Sequence, residues 1–445
     1  MHLPSLMTAP TTSVAVVDVG SYETRAGLSG LDGPTCVIPS FIVRDRQRGY
    51  LIPEYYLGAP TPEREVQAIA EGGRIVNTDR FDAFMRHLYN AELNGVHPTA
   101  IFLPHYTSRN ERDILASTLF EKENIPALYL GDQEAAAAYS FGRVMSLVVD
   151  LGYGKSTISP IVDGQCLRKG SRTCSVTGSL LLDILEKEIC HKLKQISSNQ
   201  EMNVATASGA MGPIIVQGSN VQLLTNLQIK QFYNKEQGTY ERHLVDMPYH
   251  SYLAYHRQRL LTDIAQFCLQ VSHRAMDTRL DYRSMNDASR MDIGSTTQYF
   301  LPDGNHVGMG FMSTLIPETF FNTQLLHDTF GVTVLDTTSL QMHIQQAILA
   351  LPDSVQGELA GNLVVTGGVS SVGGLHSRLK AELDAALPSI LKVRLHTSTA
   401  TQASRRFAVW QGGNVLCSLS TFPYFWVSRS EYDEFGVGIL ERRRL

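Results

Sequence analysis

No apolar run in this 445-residue chain approaches the roughly 20 residues needed to span a bilayer; the longest lie around Leu147–Val149 and Leu363–Val365. Met1 to Ser13 has no basic segment leading into an apolar one, so no secretory leader is expected. The six cysteines (Cys36, Cys166, Cys174, Cys190, Cys268 and Cys417) form no C-x-x-C pair, and no H-E-x-x-H or Cys/His cluster appears. This speaks against a dedicated metal site and favours buried thiols in a reducing compartment over a disulfide framework. Excess charge of one sign is also lacking. Lys and Arg total 38 against 43 Asp and Glu, a formal charge of −5, which speaks against a nucleic-acid binder held by a basic stripe. What the chain does have is 43% hydrophobic residues, enough for a sizeable core, and a length that suits two or three domains or one bilobed unit. A soluble intracellular protein is expected.

The organising feature is a repeated phrase. Val14-Ala15-Val16-Val17-Asp18-Val19-Gly20 is echoed by Ser146-Leu147-Val148-Val149-Asp150-Leu151-Gly152. Each is a β-branched apolar run, then Asp-x-Gly, then a polar stretch rich in β-formers (Thr24 to Gly30; Ser156 to Val162). The pattern predicts a buried strand, a tight turn and a returning strand, twice. A third run, Leu363-Val364-Val365-Thr366-Gly367-Gly368, ends in a glycine turn ahead of a helix-like Leu375 to Leu387. Repeats this far apart indicate duplicated domains facing each other. Between the first two hairpins, Ala100–Leu103 and Ala127–Leu130 read as strands flanking a helix. Ser108 and Glu111 form its capping box, and Ile114, Leu115, Thr118 and Leu119 one face; a second helix runs through Ala135–Tyr139. Strand, crossover helix and strand imply a parallel pairing, hence an α/β fold. His191 to Pro248 reads as a polar insertion of loops. A helix follows, with Leu261, Ile264, Cys268 and Val271 on one side, and Asp281–Gln298 is again loop-like.

Asp-x-Gly at the end of a buried strand has a chemical use. The glycine lets backbone N–H groups approach a phosphate, and the carboxylate can hold hydrated Mg²⁺ beside it. One such turn is ordinary hairpin chemistry; two in equivalent positions, plus a Gly-Gly turn before a helix, favour a nucleotide held between two lobes. At these residues the chain resembles a known family. Asp18-Val19-Gly20-Ser21-Tyr22-Glu23-Thr24-Arg25-Ala26-Gly27 is similar to the first phosphate loop of actin and the actin-related proteins, and Thr366-Gly367-Gly368 to their adenosine-side loop. Trp410-Gln411-Gly412-Gly413, Ser418 to Phe422, and Glu431-Tyr432-Asp433-Glu434 resemble their C-terminus, and Leu301 to Gly304 and Ile316-Pro317-Glu318 their middle. The resemblance implies the actin-like ATPase fold shared with heat-shock chaperone ATPases and sugar kinases: two duplicated lobes, four subdomains, around a central nucleotide cleft. Residues 1–39, 69–149 and 404–445 would form the first subdomain, 40–68 a shortened second, 150–178 and 326–403 the third, and 179–325 the fourth, with an insertion near 191–248. Tyr22, the Arg405-Arg406-Phe407 phrase, and the Asp263-Ile264 and Leu269-Gln270-Val271-Ser272 pieces of a helix over Ser251–Ser272 resemble the nuclear type of chromatin complexes, actin-related protein four.

By that resemblance ATP or ADP would be held by Asp18, Gly20, Ser21, Tyr22, Arg25, Gln133, Asp150, Gly152, Gly154, Gly367, Gly368 and Arg406, with Mg²⁺ on Asp18 and Asp150 through water. Several positions depart from actin. Tyr153 and Thr157 stand where it has an acid and an imidazole, Val19 replaces Asn, and Arg25 replaces Lys. On the adenosine side Ala265-Gln266 replaces a Lys-Glu pair, and Val372 stands at the adenine-packing position. Gln133 alone cannot supply the oriented network that activates water, so binding without efficient hydrolysis is expected. Tyr153 is either a hinge aromatic or a side chain filling the pocket.

Phe41–Glu65 is shorter than the loop actin inserts into its next subunit, so self-polymerisation is not expected. The resemblance implies a non-catalytic nuclear scaffold that binds nuclear actin, a helix of a remodelling ATPase or acetyltransferase platform, other complex subunits and the nucleosome, with no membrane contact. A filament-forming ATPase is the alternative. The helix would lie in a groove near Tyr139–Arg143 and Ser418–Glu434, anchored by Phe422, Tyr424, Phe425 and Trp426, which an extended chain would present on alternating faces. Arg442-Arg443-Arg444 reads as a solvated tail.

Overall fold

The computed structural model describes residues 13–51, 54–200, 222–234, 239–276, 295–396 and 405–443. The repeated phrase builds the same unit twice. Ala15–Val19 pairs antiparallel with Glu23–Leu28, setting Asp18 opposite Arg25, and parallel with Thr99–Leu103. Ser146–Leu151 pairs antiparallel with Ser156–Val162, setting Asp150 opposite Thr157, and parallel with Leu363–Thr366. Each unit lies at the centre of a six-stranded mixed sheet. Every residue of Ala15–Val19 is buried, which is why this strand is an unbroken apolar run up to its Asp instead of an alternation. In the first sheet the helix Arg109–Glu121 crosses from Thr99–Leu103 to the parallel strand Ala127–Asp132. Its capping box is formed: Glu111 N–H donates to Ser108 Oγ at 3.3 Å, and Ser108 N–H to Glu111 Oε2 at 2.7 Å.

Two helices, Gln133–Ser140 and Ala408–Cys417, fill the seam between the sheets. Ala136 packs with Val16, Phe102 and Trp410 on the first-lobe side. Ala135, Ala137 and Ala138 pack with Val148, Ile161 and Val364 of the second. The helices approach so closely that a Cβ on Gly412 would lie 1.6 Å from the Ala136 carbonyl oxygen, and one on Gly413 2.3 Å from the Phe102 ring. At the far end of the molecule the small sheet Phe41–Asp45, Gly49–Leu51 and Arg64–Ala68 meets the helix His250–Cys268. Val43, Leu57 and Val66 bury there against Tyr252 and Tyr255. Tyr252 Oη donates to the Tyr56 carbonyl at 3.1 Å, and Val66 N–H to Ser251 Oγ at 3.1 Å.

Three expectations are corrected. The stretch from His191 does not begin as loops, because the helix Gly178–Gln200 runs through its first residues, and a hairpin of Ile229–Asn234 and Thr239–Leu244 follows. The rest of that stretch, 201–221 and 235–238, and 281–294 of Asp281–Gln298, lie outside the described residues, while Ser295–Phe300 is a strand. The helix expected over Ser251–Ser272 ends at Cys268, where the chain turns extended so that Gln270 bridges to Gly373. The aromatics at 422–426 are not extended: Phe422–Tyr424 is a 3₁₀ turn. Phe422 is buried, Phe425 and Trp426 pack partly on the same core, and Tyr424 alone of the four is exposed, at 65%. All six cysteines are free thiols, and no helix among the described residues is long and apolar enough to cross a membrane.

The helix seam yields a paired test. Gly412→Ala drives a methyl into a backbone carbonyl and should cost about 1–3 kcal/mol or more, as overpacking does. Gly357→Ala, on an exposed helical position with nothing near its Cβ, should gain up to about 1 kcal/mol from helix propensity. Urea unfolding of the two variants reads both; an unchanged midpoint for Gly412→Ala contradicts the close approach.

Candidate nucleotide site

The two Asp-x-Gly turns face each other across a cleft of about 370 Å³. They close the same way: Gly20 N–H donates to the Glu23 carbonyl at 3.1 Å, and Gly152 N–H to the Lys155 carbonyl at 3.0 Å. A Cβ would lie 2.7 Å from that oxygen at Gly20 and 2.5 Å at Gly152, so each turn requires glycine for a steric reason. The third glycine turn follows Leu363–Thr366, with Gly367 at φ +90°, where a Cβ would meet Asp150 Oδ1 at 2.5 Å. All twelve residues expected to hold nucleotide line this cleft, as do Ala265, Gln266 and Val372.

Asp18 is held by Arg25 at 3.0 Å and accepts from Gln133 Nε2 at 3.0 Å. Burial nonetheless raises its carboxyl above the usual range, against the pull of Arg25. Burial also pushes Asp150 up, to about 7, with the charges of Glu134 and Asp18 adding and Arg25 opposing. The two carboxylates repel each other, and a cation between them would relieve that cost. The same environment depresses Lys155 to about 8, chiefly through burial and then the nearby Arg74 charge. Its ammonium sits over the Tyr106 ring, 2.9 Å from the centroid.

Tyr153 enters the cleft, and it meets Tyr22 from the opposite turn with ring centroids 5.3 Å apart. Tyr22 also reaches Thr262 on the helix His250–Cys268. Beside them Gly154 lies so near Ser21 that a Cβ would come within 2.8 Å of its Oγ. The turns therefore touch through two aromatic rings and a glycine. Among the cleft residues that sequence reasoning missed are Glu23, Tyr106, Glu134 and Lys155. Glu23 and Lys155 sit at equivalent places in the duplicated turns and Glu134 follows Gln133, so the phrase itself held a signal for them. Nothing local marks Tyr106. Glu134 is tied to His105 at 2.9 Å in a buried pair beneath the cleft.

The residues suit a nucleotide with Mg²⁺. Thr157 Oγ1 is buried without a hydrogen-bond partner, and the Gly368 Cβ position opens onto free space. Among the described residues no group of three or more His, Cys, Asp or Glu is placed to hold a metal. A cation here would be shared by Asp18, Asp150 and phosphate oxygens through its water shell, which suits Mg²⁺.

The depressed Lys155 amine gives a pH test. Below about pH 8 it is protonated and inert to acylating reagents; above, it is free. Trace acylation followed by peptide mass spectrometry should show Lys155 reacting with a half-point near pH 8, ahead of the exposed Lys122 and Lys380. A half-point at the ordinary lysine value would contradict the burial argument.

The chain matches the actin family over residues 9–445. It is 26% identical to actin-related protein 4 of Arabidopsis thaliana, covering 97% of this chain and 98% of that protein. It is 28% identical to actin-related protein 4 of Schizosaccharomyces pombe, covering 97% of each. It is 27% identical to the SWI/SNF and RSC complexes subunit arp42 of the same yeast, covering 95% of this chain and 96% of that one. The paired Asp-x-Gly hairpins, the glycine turn at Gly367 and the tryptophan helix thus sit in one continuous family match, and the chain belongs to the actin family.

Proposed function

We propose that this chain is a non-catalytic scaffold subunit of a nuclear chromatin-remodelling or histone-acetyltransferase complex, holding ATP or ADP with Mg²⁺ as a structural ligand. The relative named as a SWI/SNF and RSC complexes subunit supports the assembly. The observation that carries the non-catalytic reading is the second hairpin, where Thr157 and Tyr153 line the cleft. Neither is a base near neutral pH: burial raises Tyr153 to about 12, and an alcohol has no proton affinity to lend water. Gln133 is engaged by Asp18 and the Val19 carbonyl. When bound, Mg²⁺ would neutralise phosphate charge; Asp18 and Asp150 would orient its waters, Arg25 would face phosphate oxygens, and the glycine turns would offer backbone N–H groups.

The bound state would be slow to exchange. The two seam helices pack on both sheets, and the small sheet of residues 41–68 packs on Tyr252 and Tyr255 at the far end. This suits a rigid partner surface better than a nucleotide cycle. Actin and an amphipathic helix from an ATPase or platform subunit are the proposed partners, at the C-terminal edge where Leu419 and Tyr424 are exposed. Arg443 holds that edge by donating to the Tyr424 carbonyl at 2.7 Å and pairing with Glu431, so it is not a free tail; Arg444 lies outside the described residues.

Purified protein should release phosphate from ATP negligibly, while Mg·ATP raises its melting temperature. A ligand at a hundredfold excess over Kd adds about 2.7 kcal/mol. Asp18→Ala and Asp150→Ala should erase that increment. Turnover at the rate of filamentous actin would favour the filament-ATPase alternative.

The partner surface is tested separately. Leu419→Asp with Tyr424→Asp changes exposed side chains only. It should abolish co-purification of actin and the partner helix without moving the melting temperature by more than about 2 °C, since surface changes stay within about 0.5 kcal/mol. Undiminished co-purification refutes this edge as the partner site.

A further inference from the structure

The cations of the cleft already have partners within the protein. Three basic side chains line it, Arg25, Lys155 and Arg406, against four carboxylates, Asp18, Glu23, Glu134 and Asp150. Lys155 lies on the Tyr106 ring and Arg25 on Asp18. Arg406 is taken by Glu23: its Nε donates to Glu23 Oε2 at 3.1 Å and its Nη2 to the same oxygen. Arg25 Nη2 lies 3.7 Å from that oxygen, so one carboxylate faces both arginines.

Glu23 has this position because of the turn. It is the residue whose carbonyl closes the first Asp-x-Gly turn, and it begins the returning strand, so its side chain is fixed at the mouth of the phosphate loop. Its counterpart in the second turn is Lys155, a cation. The duplicated scaffold therefore places opposite charges at equivalent points, and the negative one neutralises the side of the cleft that carries two guanidinium groups. Its side chain is 16% exposed, so water screens the pairing only in part.

We infer that Glu23 is a specificity determinant that sets the charge of the ligand: by occupying Arg406 and facing Arg25 it makes the cleft reject an uncompensated phosphate chain and accept a nucleoside, or a nucleotide whose charge a divalent cation has neutralised. This rests on the nucleotide reading of the cleft and adds which ionic form enters. A free triphosphate must displace Glu23 from Arg406 and then lie beside four carboxylates. Asp18 and Asp150 would hold Mg²⁺ through water, and its charge would offset that second cost. Glu23→Gln keeps the shape, removes one negative charge and frees the guanidinium, so the phosphate chain gains the charge-assisted bonds that Glu23 now takes.

The test is calorimetric titration of the full chain with adenosine, ADP and ATP, each with excess chelator and with Mg²⁺. In the wild type, chelated ATP should bind no more tightly than adenosine, and Mg²⁺ should tighten ATP by about tenfold or more, the scale of one charge-assisted bond. Chelated ATP binding tenfold tighter than adenosine overturns the inference with no variant needed. Glu23→Gln should tighten chelated ADP and ATP by about tenfold and leave adenosine within about twofold. Adding Arg406→Gln to that variant should remove most of the gain, because Arg406 is the group released. Equal affinities in wild type and Glu23→Gln, or a gain that survives Arg406→Gln, overturn the role of Glu23 while the nucleotide reading stands. No binding of any of the three ligands to either protein overturns both.

Discussion

The structure depends on the approach of two short helices, Gln133–Ser140 and Ala408–Cys417. Gly412 lies against the Ala136 carbonyl and Gly413 against the Phe102 ring, closer than any side chain allows. Because the partner face is Ala135-Ala136-Ala137-Ala138, the pair is thin enough for both sheets to pack on it, one on each side. Trp410 extends the contact by donating from Nε1 to the Val16 carbonyl at 3.0 Å, in the strand that carries Asp18. The seam thus fixes the distance and angle between the two Asp-x-Gly turns. A thicker seam would part Asp18 from Asp150 and Tyr22 from Tyr153, and the cleft would lose its floor.

What the seam brings together is electrostatically expensive. Asp18 is buried and Asp150 half-buried at the ends of strands that carry no counter-charge, with Arg25 on the neighbouring strand, and both carboxyls are driven upward by desolvation. Such an arrangement costs stability, and a folded chain retains it where something else is stabilised by it; a cation and a phosphate chain are the chemistry that would be. The chain answers part of the cost internally. Arg25 pairs with Asp18, Glu23 with Arg406, Glu134 with His105, and Lys155 with the Tyr106 ring, so the cleft holds together through its own side chains.

The contact at the tips gives the cleft its second fixed point. Tyr252 and Tyr255 are buried under the small sheet of residues 41–68, and His256 Nε2 lies 2.9 Å from the Leu57 carbonyl. A protein whose lobes meet at both ends changes shape less readily than one joined at a single hinge.

The sequence by itself determined the elements and the chemistry of the turns. Continuous apolar runs ending in Asp-x-Gly can only be buried strands with a glycine-dependent turn, and the recurrence of that phrase at Asp150 carried the duplication, because strand period and turn sterics are local properties. The capping box at Ser108 and Glu111 was legible for the same reason. The length of the helix Gly178–Gln200 was not, since its polar second half lacks a marked period and the helix is held by buried residues from Leu181 to Leu193. The 3₁₀ turn at Phe422–Tyr424 was hidden likewise, because burial of Phe422 against Tyr129 overrides a composition that favours strand. For the cleft, all twelve expected residues were named from local pattern, but their pairings were not. That Glu23 meets Arg406 across 383 positions of chain, and that Tyr22 meets Tyr153, depends on how thin the helix seam is. Long-range distance is set by packing, and only the tertiary structure decided it.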